Sequence, residues 1–224
     1  MFVRGFPAAA FGTNCWVVAP AEGEQCVVLD PGIGVEAELD ELLRTHRLQP
    51  VAVVLTHGHL DHTFSVTPVC GAKDVPAFIH PADRELLADP VKGLSVESRE
   101  MFGGRLQWTE PSDVQLLDPS VPLSLAGLEI TVDFAPGHTP GSVVLETEGT
   151  LFSGDVLFAG SIGRTDLPGG SWEQMQESLA RVILPRDDEL VVHCGHGPST
   201  TIGRERATNP FLQDLAQAPP SRGL

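Results

Sequence analysis

The chain has 224 residues, 42% of them hydrophobic, enough for a substantial core and consistent with a single domain spanning residues 1–213. Its 30 acidic and 14 basic side chains give a formal charge of −16, which argues against nucleic acid as a partner because phosphate binding draws on clustered Lys and Arg. The N-terminal stretch MFVRGFPAAAFGTNCWVV is broken by Gly5, Pro7, Gly12 and Asn14, so it reads as neither signal peptide nor membrane span, and a cytoplasmic location is expected.

Residues 2–5, 14–19 and 25–30 are short β-prone runs separated by Gly-, Pro- and Ala-rich connections, as in an antiparallel meander. The third ends in the turn signal Leu29-Asp30-Pro31-Gly32. Val35, Leu39, Leu42 and Leu43 then recur at helical spacing, predicting a helix with one apolar face on the sheet. An apolar strand from Val51 to Leu55 runs into Thr56-His57-Gly58-His59-Leu60-Asp61-His62. An extended loop there turns alternate side chains to one side, so His57 and His59 point together while Asp61 and His62 leave the next turn. Such nitrogen and oxygen donors suit zinc, iron or manganese, whereas a plain polar loop would crowd four groups that repel or desolvate one another.

Ala77 to His80 reads as another strand, followed by a helix opened by Pro81, with His80 taken as a strand-end or helix-start residue and not a ligand. From Asp89 to Pro119 the pattern is weak. That segment is either a lid or binding loop or a surface excursion whose aromatics, Phe102 and Trp108 among them, cover the core. Leu128 to Phe134 alternates as a half-buried strand and leads into Pro136-Gly137-His138-Thr139-Pro140-Gly141-Ser142. Residues 142–146 and 150–152 predict a hairpin that delivers Ser153-Gly154-Asp155. Ser171 and Gln174 form a capping box for a helix through Leu184, with Trp172, Met175, Leu179, Val182 and Ile183 on its apolar side. The last clear strand, Glu189 to Val192, runs into His193-Cys194-Gly195-His196-Gly197, and residues 214–224 read as a flexible tail. Cys15, Cys26, Cys70 and Cys194 lack CxxC spacing and are expected to be reduced, buried thiols.

His57, His59, His138, Asp155 and His196 each follow a short apolar strand on a Gly-containing loop, although they span much of the chain. A layered sheet brings such loops together at one edge.

With THGHLDH at 56–62, PGHTPGS at 136–142, SGDVLF at 153–158, GSIGRTDLPGG at 160–170 and CGHGPSTTIGRERATNPF at 194–211, the chain resembles the metallo-β-lactamase superfamily. Within it, the chain is similar to short hydroxyacylglutathione hydrolases (glyoxalase II) that lack the C-terminal helical domain. The resemblance implies an α/β fold, a four-layer αββα sandwich with its site at one sheet edge. It places His57, His59 and His138 on one metal and Asp61, His62 and His196 on a second, with Asp155 between them. His46 and His193 are left out of the set. Two divalent ions, zinc first and iron or manganese as alternatives, would hold a bridging hydroxide, with Asp61 and Asp155 as the catalytic carboxylates.

The activity implied is hydrolysis of a small-molecule thioester, a hydroxyacyl thiol giving hydroxy acid and thiol. A thiolate leaves without a dedicated acid, and the chain has no tyrosine. That absence counts against the superfamily's lactonases, and Asp155 counts against its β-lactamases. CGHGPS stands where glyoxalase II typically has CGHEYT, which leaves the thiol carrier open between glutathione and another thiol. Arg164 is either a substrate contact or the partner of Asp166 in a loop-shaping salt bridge. The alternatives are a persulfide dioxygenase using one iron on His57, His138 and Asp155, and a noncatalytic metal-binding module.

Overall fold

The computed structural model describes residues 1–102 and 108–217. The first sheet is built of β1 (Phe2–Pro7), β2 (Asn14–Ala19), β3 (Gln25–Leu29), β4 (Gln49–Val54), β5 (Ala77–Ile79) and β6 (Val114–Leu116), in that spatial order. The β1-β2-β3 meander is antiparallel, and from β3 onward the pairs are parallel. Its crossovers carry α1 (Glu36–His46), α2 (Leu60–Thr63), α3 (Val66–Lys73), α4 (Arg84–Ala88) and α5 (Val96–Phe102). The second sheet contains β7 (Leu123–Leu125), β8 (Leu128–Phe134), β9 (Val143–Thr147), β10 (Thr150–Gly154), β11 (Val191–Cys194) and β12 (Thr200–Thr201), with spatial order β12-β11-β10-β9-β8-β7. Helix α6 (Trp172–Ser178) continues into a π-helical turn, Leu179–Ile183, and α7 (Ile202–Thr208) and α8 (Pro210–Gln217) close the chain.

Alternation along the strands builds the layers. In β3, Val27 and Leu29 join Val54, Ile130, Val132, Leu145 and Phe152 in a core between the sheets, whereas Cys26 and Val28 face the α1 and α3 side with Leu39, Leu43 and Val66. The outer face of the second sheet packs on Met175, Leu179, Ile183, Ile202 and Leu212. The order is therefore helix, sheet, sheet, helix, as expected. Among the described residues, no helix is long and apolar enough to cross a membrane. All four cysteines are buried and free, and burial pushes the Cys194 thiol up to about 11, which removes it as a nucleophile.

Several boundaries differ from expectation. The tail from residue 214 begins inside α8, because Leu212 is buried and Leu215 packs on the second core; residues 218–224 lie outside the described residues. Val191–Cys194, rather than Glu189 to Val192, pairs with β10. Trp172, expected on an apolar face, is exposed, with its edge on Phe211. The weak 89–119 segment divides: α5 and β6 fall within it, and the Trp108 indole donates to the Leu87 carbonyl (2.7 Å) and covers the first core. The side chain of Phe102 lies outside the described residues.

Candidate metal centre

The site forms where the ends of β3, β4, β8, β10 and β11 meet at one edge of the two sheets. The chain leaves β4 extended through His59 (φ −67°, ψ 146°), which caps α2, so Asp61 and His62 come from that helix's first turn. Asp30, at the end of β3, organises this loop. Its buried carboxylate accepts from the Thr56 amide (2.8 Å), the Thr56 hydroxyl (2.6 Å) and His62 Nδ1 (3.0 Å). These bonds hold Asp30 at φ +48°, a conformation unfavourable for a residue with a Cβ. Donation from His62 Nδ1 fixes its tautomer and leaves Nε2 directed at the cluster.

His138 is oriented in the same way, its Nδ1 donating to the Arg164 carbonyl at 2.7 Å while Nε2 lies 2.8 Å from His59 Nδ1. Asp155 stands between the histidine sets. Its Oδ1 is 3.3 Å from His62 Nε2, and its Oδ2 is 3.5 Å from both His138 Nε2 and His196 Nε2. His196 Nε2 is also 3.2 Å from Asp61 Oδ2, which accepts from the Thr13 hydroxyl at 2.9 Å. The His196 loop is fastened to the first sheet by Asn14, whose amide donates to the Gly195 carbonyl and whose side chain donates to the Cys194 and Gly197 carbonyls.

Three overlapping donor sets result: His57, His59 and His138; His57, His62 and Asp155; and Asp61, His62 and His196, each with ligand atoms within 4.8 Å of one another. The fit to a cation shows in the orphaned atoms. His57 Nε2 and Asp155 Oδ1 are buried without a hydrogen-bond partner, a costly arrangement that a bound cation relieves. Burial, reinforced by the neighbouring imidazoles, drives His57 well below the usual histidine range and His59 down to about 3, leaving neutral lone pairs. Burial works against charge on His62, yet Asp155, Asp61 and Asp30 raise it well above that range. His196 is also raised despite its burial, by its bond to Asp61 and by Asp155. Burial would lift Asp61 and Asp155, but the adjacent imidazoles, His62 foremost, hold both below the usual carboxylate range. This half of the cluster holds protons that an incoming metal displaces.

The cluster floors a cleft of about 480 Å³, walled by Phe11, Leu60, Leu94, Phe158, Ile162 and Leu167 and also lined by Ser95 and Ser98. The first part of the 89–119 segment thus lines the site. Arg164 lines the cleft too, but its guanidinium is engaged by both Asp166 oxygens at 2.7 Å, and its carbonyl orients His138. The histidines set aside lie elsewhere. His46 meets Glu22, His80 accepts from the Ala82 amide and stacks on Phe134, and His193 packs at a tilt against Trp16. Asp30 and Asn14 escaped the sequence reading, the first as part of a turn signal and the second as a strand start.

The Metallo-beta-lactamase superfamily profile matches residues 8–196. Among solved structures, BLEG-1 B3 metallo-beta-lactamase shares 39% identity, with 94% of this chain and 99% of that one covered and a TM-score of 0.84. TTHA1623 in a di-iron-bound form shares 37% identity over 93% of this chain and 100% of that one, with a TM-score of 0.77. The Hydroxyacylglutathione hydrolase GloC of Haemophilus influenzae is 30% identical, covering 95% of this chain and 98% of its own. The strand-end cluster, the layered fold and these matches agree: the chain belongs to the metallo-β-lactamase superfamily, a family of metallo-hydrolases.

Proposed function

We propose that this protein is a glyoxalase II-like thioester hydrolase working with two divalent ions, zinc in the first instance. The observation that carries the reading is Asp155, whose carboxylate reaches histidines of both sets at 3.3–3.5 Å, Oδ1 facing His62 and Oδ2 facing His138 and His196. His57, His59 and His138 would hold one ion and Asp61, His62 and His196 the other, with Asp155 shared. When bound, the ions lower the pKa of water from 15.7 toward about 7 and polarise an acyl carbonyl.

The protein's own groups do the rest. Asp30 and the Arg164 carbonyl hold His62 and His138 in single tautomers, so the donor set is formed before substrate arrives. Leu60, Phe158 and Ile162 give the acyl portion a dry wall beside Asp61 and Asp155. The leaving thiol, with a pKa near about 8.5 by analogy with cysteine, departs as thiolate without a proton donor, which matches a chain that has no tyrosine. The H. influenzae relative, named for hydrolysis of a glutathione thioester, supports this class of substrate. A small-molecule thioester is accordingly the partner proposed.

The test is turnover of a D-lactoyl thioester, with a β-lactam measured alongside, by zinc-loaded wild type and Asp155→Asn. Wild-type hydrolysis of the thioester and a loss of about 10²–10³ in kcat for the variant are expected. Metal-loaded wild type that cleaves the β-lactam and leaves the thioester untouched would sink the proposal.

A further inference from the structure

Two glycines in the ligand motifs, Gly58 between His57 and His59 and Gly141 three residues after His138, have no part in holding a metal. Both lie against the same side chain. A Cβ on Gly141 would fall 2.6 Å from Asp83 Cγ and Oδ1, and one on Gly58 would fall 2.6 Å from Leu86 Cβ, with the Asp83 carbonyl oxygen at 3.1 Å and its Cβ at 3.2 Å. Neither glycine has a positive φ, so close approach, not backbone freedom, is the use to which they are put.

That approach lets Asp83 join the two loops. Its Oδ2 accepts from the Gly58 amide at 2.7 Å and from the Thr139 hydroxyl at 2.6 Å, and its Oδ1 accepts from the Gly141 amide at 2.6 Å. The side chain is fully buried, and all three donors belong to the loops that carry His57, His59 and His138. Asp83 is itself held in a 3-10 turn, Pro81–Asp83, its amide donating to the His80 carbonyl at 3.0 Å. The turn sits between β5 and α4, elements that supply no metal donor. A buried carboxylate is an expensive way to join two loops, since an apolar contact costs no desolvation, but hydrogen bonds fix distance and direction where apolar packing does not.

We infer that Asp83 is a positioning residue of the metal centre, setting His57 and His59 at the spacing from His138 that a cation requires. This rests on the proposed metal site, and predicts that metal affinity falls when the clip is cut even where the fold survives. Ligand-orienting partners of this kind typically contribute 10–100-fold to affinity.

The experiment measures zinc affinity by competition with a chromogenic chelator, and the Tm of the metal-free protein, for wild type, Asp83→Asn, Thr139→Val and a core control, Leu39→Ala. Asn cannot accept at both ends of the side chain, so Asp83→Asn is expected to lose about 10–100-fold in affinity. Thr139→Val removes one of the three donors and is expected to lose less, and it carries the test should Asp83→Asn fail to fold. Leu39→Ala, a cavity on the far side of the first sheet, is expected to lower the metal-free Tm while leaving affinity within about twofold. Wild-type affinity in both Asp83→Asn and Thr139→Val would overturn the inference, as would a loss in Leu39→Ala matching theirs. A wild-type protein that takes up no zinc would overturn the metal-centre reading and this one with it.

Discussion

Gly195→Ala adds one methyl group at the centre of the cluster. Gly195 donates its amide to the Gly154 carbonyl at 2.8 Å and accepts from the Asn14 amide at 2.7 Å, so its backbone is held on both sides. Its φ is not positive, and alanine is conformationally acceptable. The new Cβ would stand 2.2 Å from Asp155 Oδ1, 2.8 Å from His62 Cε1 and 2.9 Å from the Gly154 carbonyl carbon. The carboxylate has to swing away, which removes the group placed between the two histidine sets. Overpacking of this kind costs about 1–3 kcal/mol in the metal-free protein. Zinc at 100 times its Kd stabilises wild type by about 2.7 kcal/mol per site, and at about 2–4 °C per kcal/mol for a chain of this size each filled site contributes a shift of roughly 5–11 °C. Calorimetric melting with and without zinc should show that shift in wild type and almost none in Gly195→Ala. Gly71→Ala is the control, since Gly71 is exposed in α3 with nothing within 4 Å of its Cβ position. It should gain about 0.5–1 kcal/mol and keep the zinc shift. A full zinc shift in Gly195→Ala would refute the placement of Asp155 as a metal-facing group.

Arg164 lines the cleft, while the bond that matters to His138 comes from its main chain, so Arg164→Ala should raise KM for the thioester several-fold and leave Tm unchanged. A lowered Tm with unchanged KM would reduce its part to the Asp166 pair. Burial lowers His193 to about 4, so between about pH 6.5 and 4 the unfolded chain binds a proton that the folded protein refuses. Stability should therefore fall as pH drops through that window, and His193→Leu should flatten part of the fall in urea midpoints measured at pH 7 and pH 4.5; an unchanged slope contradicts the assignment. Thr201 caps α7 by accepting from the Arg204 amide at 3.3 Å, and Thr201→Ala should cost about 1 kcal/mol in urea unfolding, whereas no change would mean the cap is not formed in solution.

The candidate donor set was legible because metal chemistry needs particular side chains, and four of the seven candidates fall in one heptapeptide. His138, Asp155 and His196 were found by a subtler regularity, each on a glycine-containing loop just past an apolar strand. Asp30 and Asp83 were not legible in the same way. Their roles lie in contacts 25 to 58 residues away along the chain, and no local pattern marks an aspartate as the acceptor for a distant loop. Helix α3 was missed for a different reason. Val66, Thr67, Pro68, Val69 and Gly71 are poor helix formers, and burial of Val66, Val69 and Cys70 against the sheet overrides that preference. Helix α7 did carry a signal, the capping Thr201, but it lay inside a stretch read as motif and not as structure. Arg164 was weighed for its side chain, while its carbonyl proves to be the group that orients a candidate ligand. Main-chain roles of that sort are blind to residue type.

The central claim is a two-metal thioester hydrolase, and the most direct test is metal content per chain on protein purified without added metal, followed on the same sample by D-lactoyl thioester hydrolysis. The account predicts about two ions per chain together with turnover that chelation abolishes and added zinc restores. A single ion per chain with no hydrolysis, before or after zinc is supplied, would contradict it.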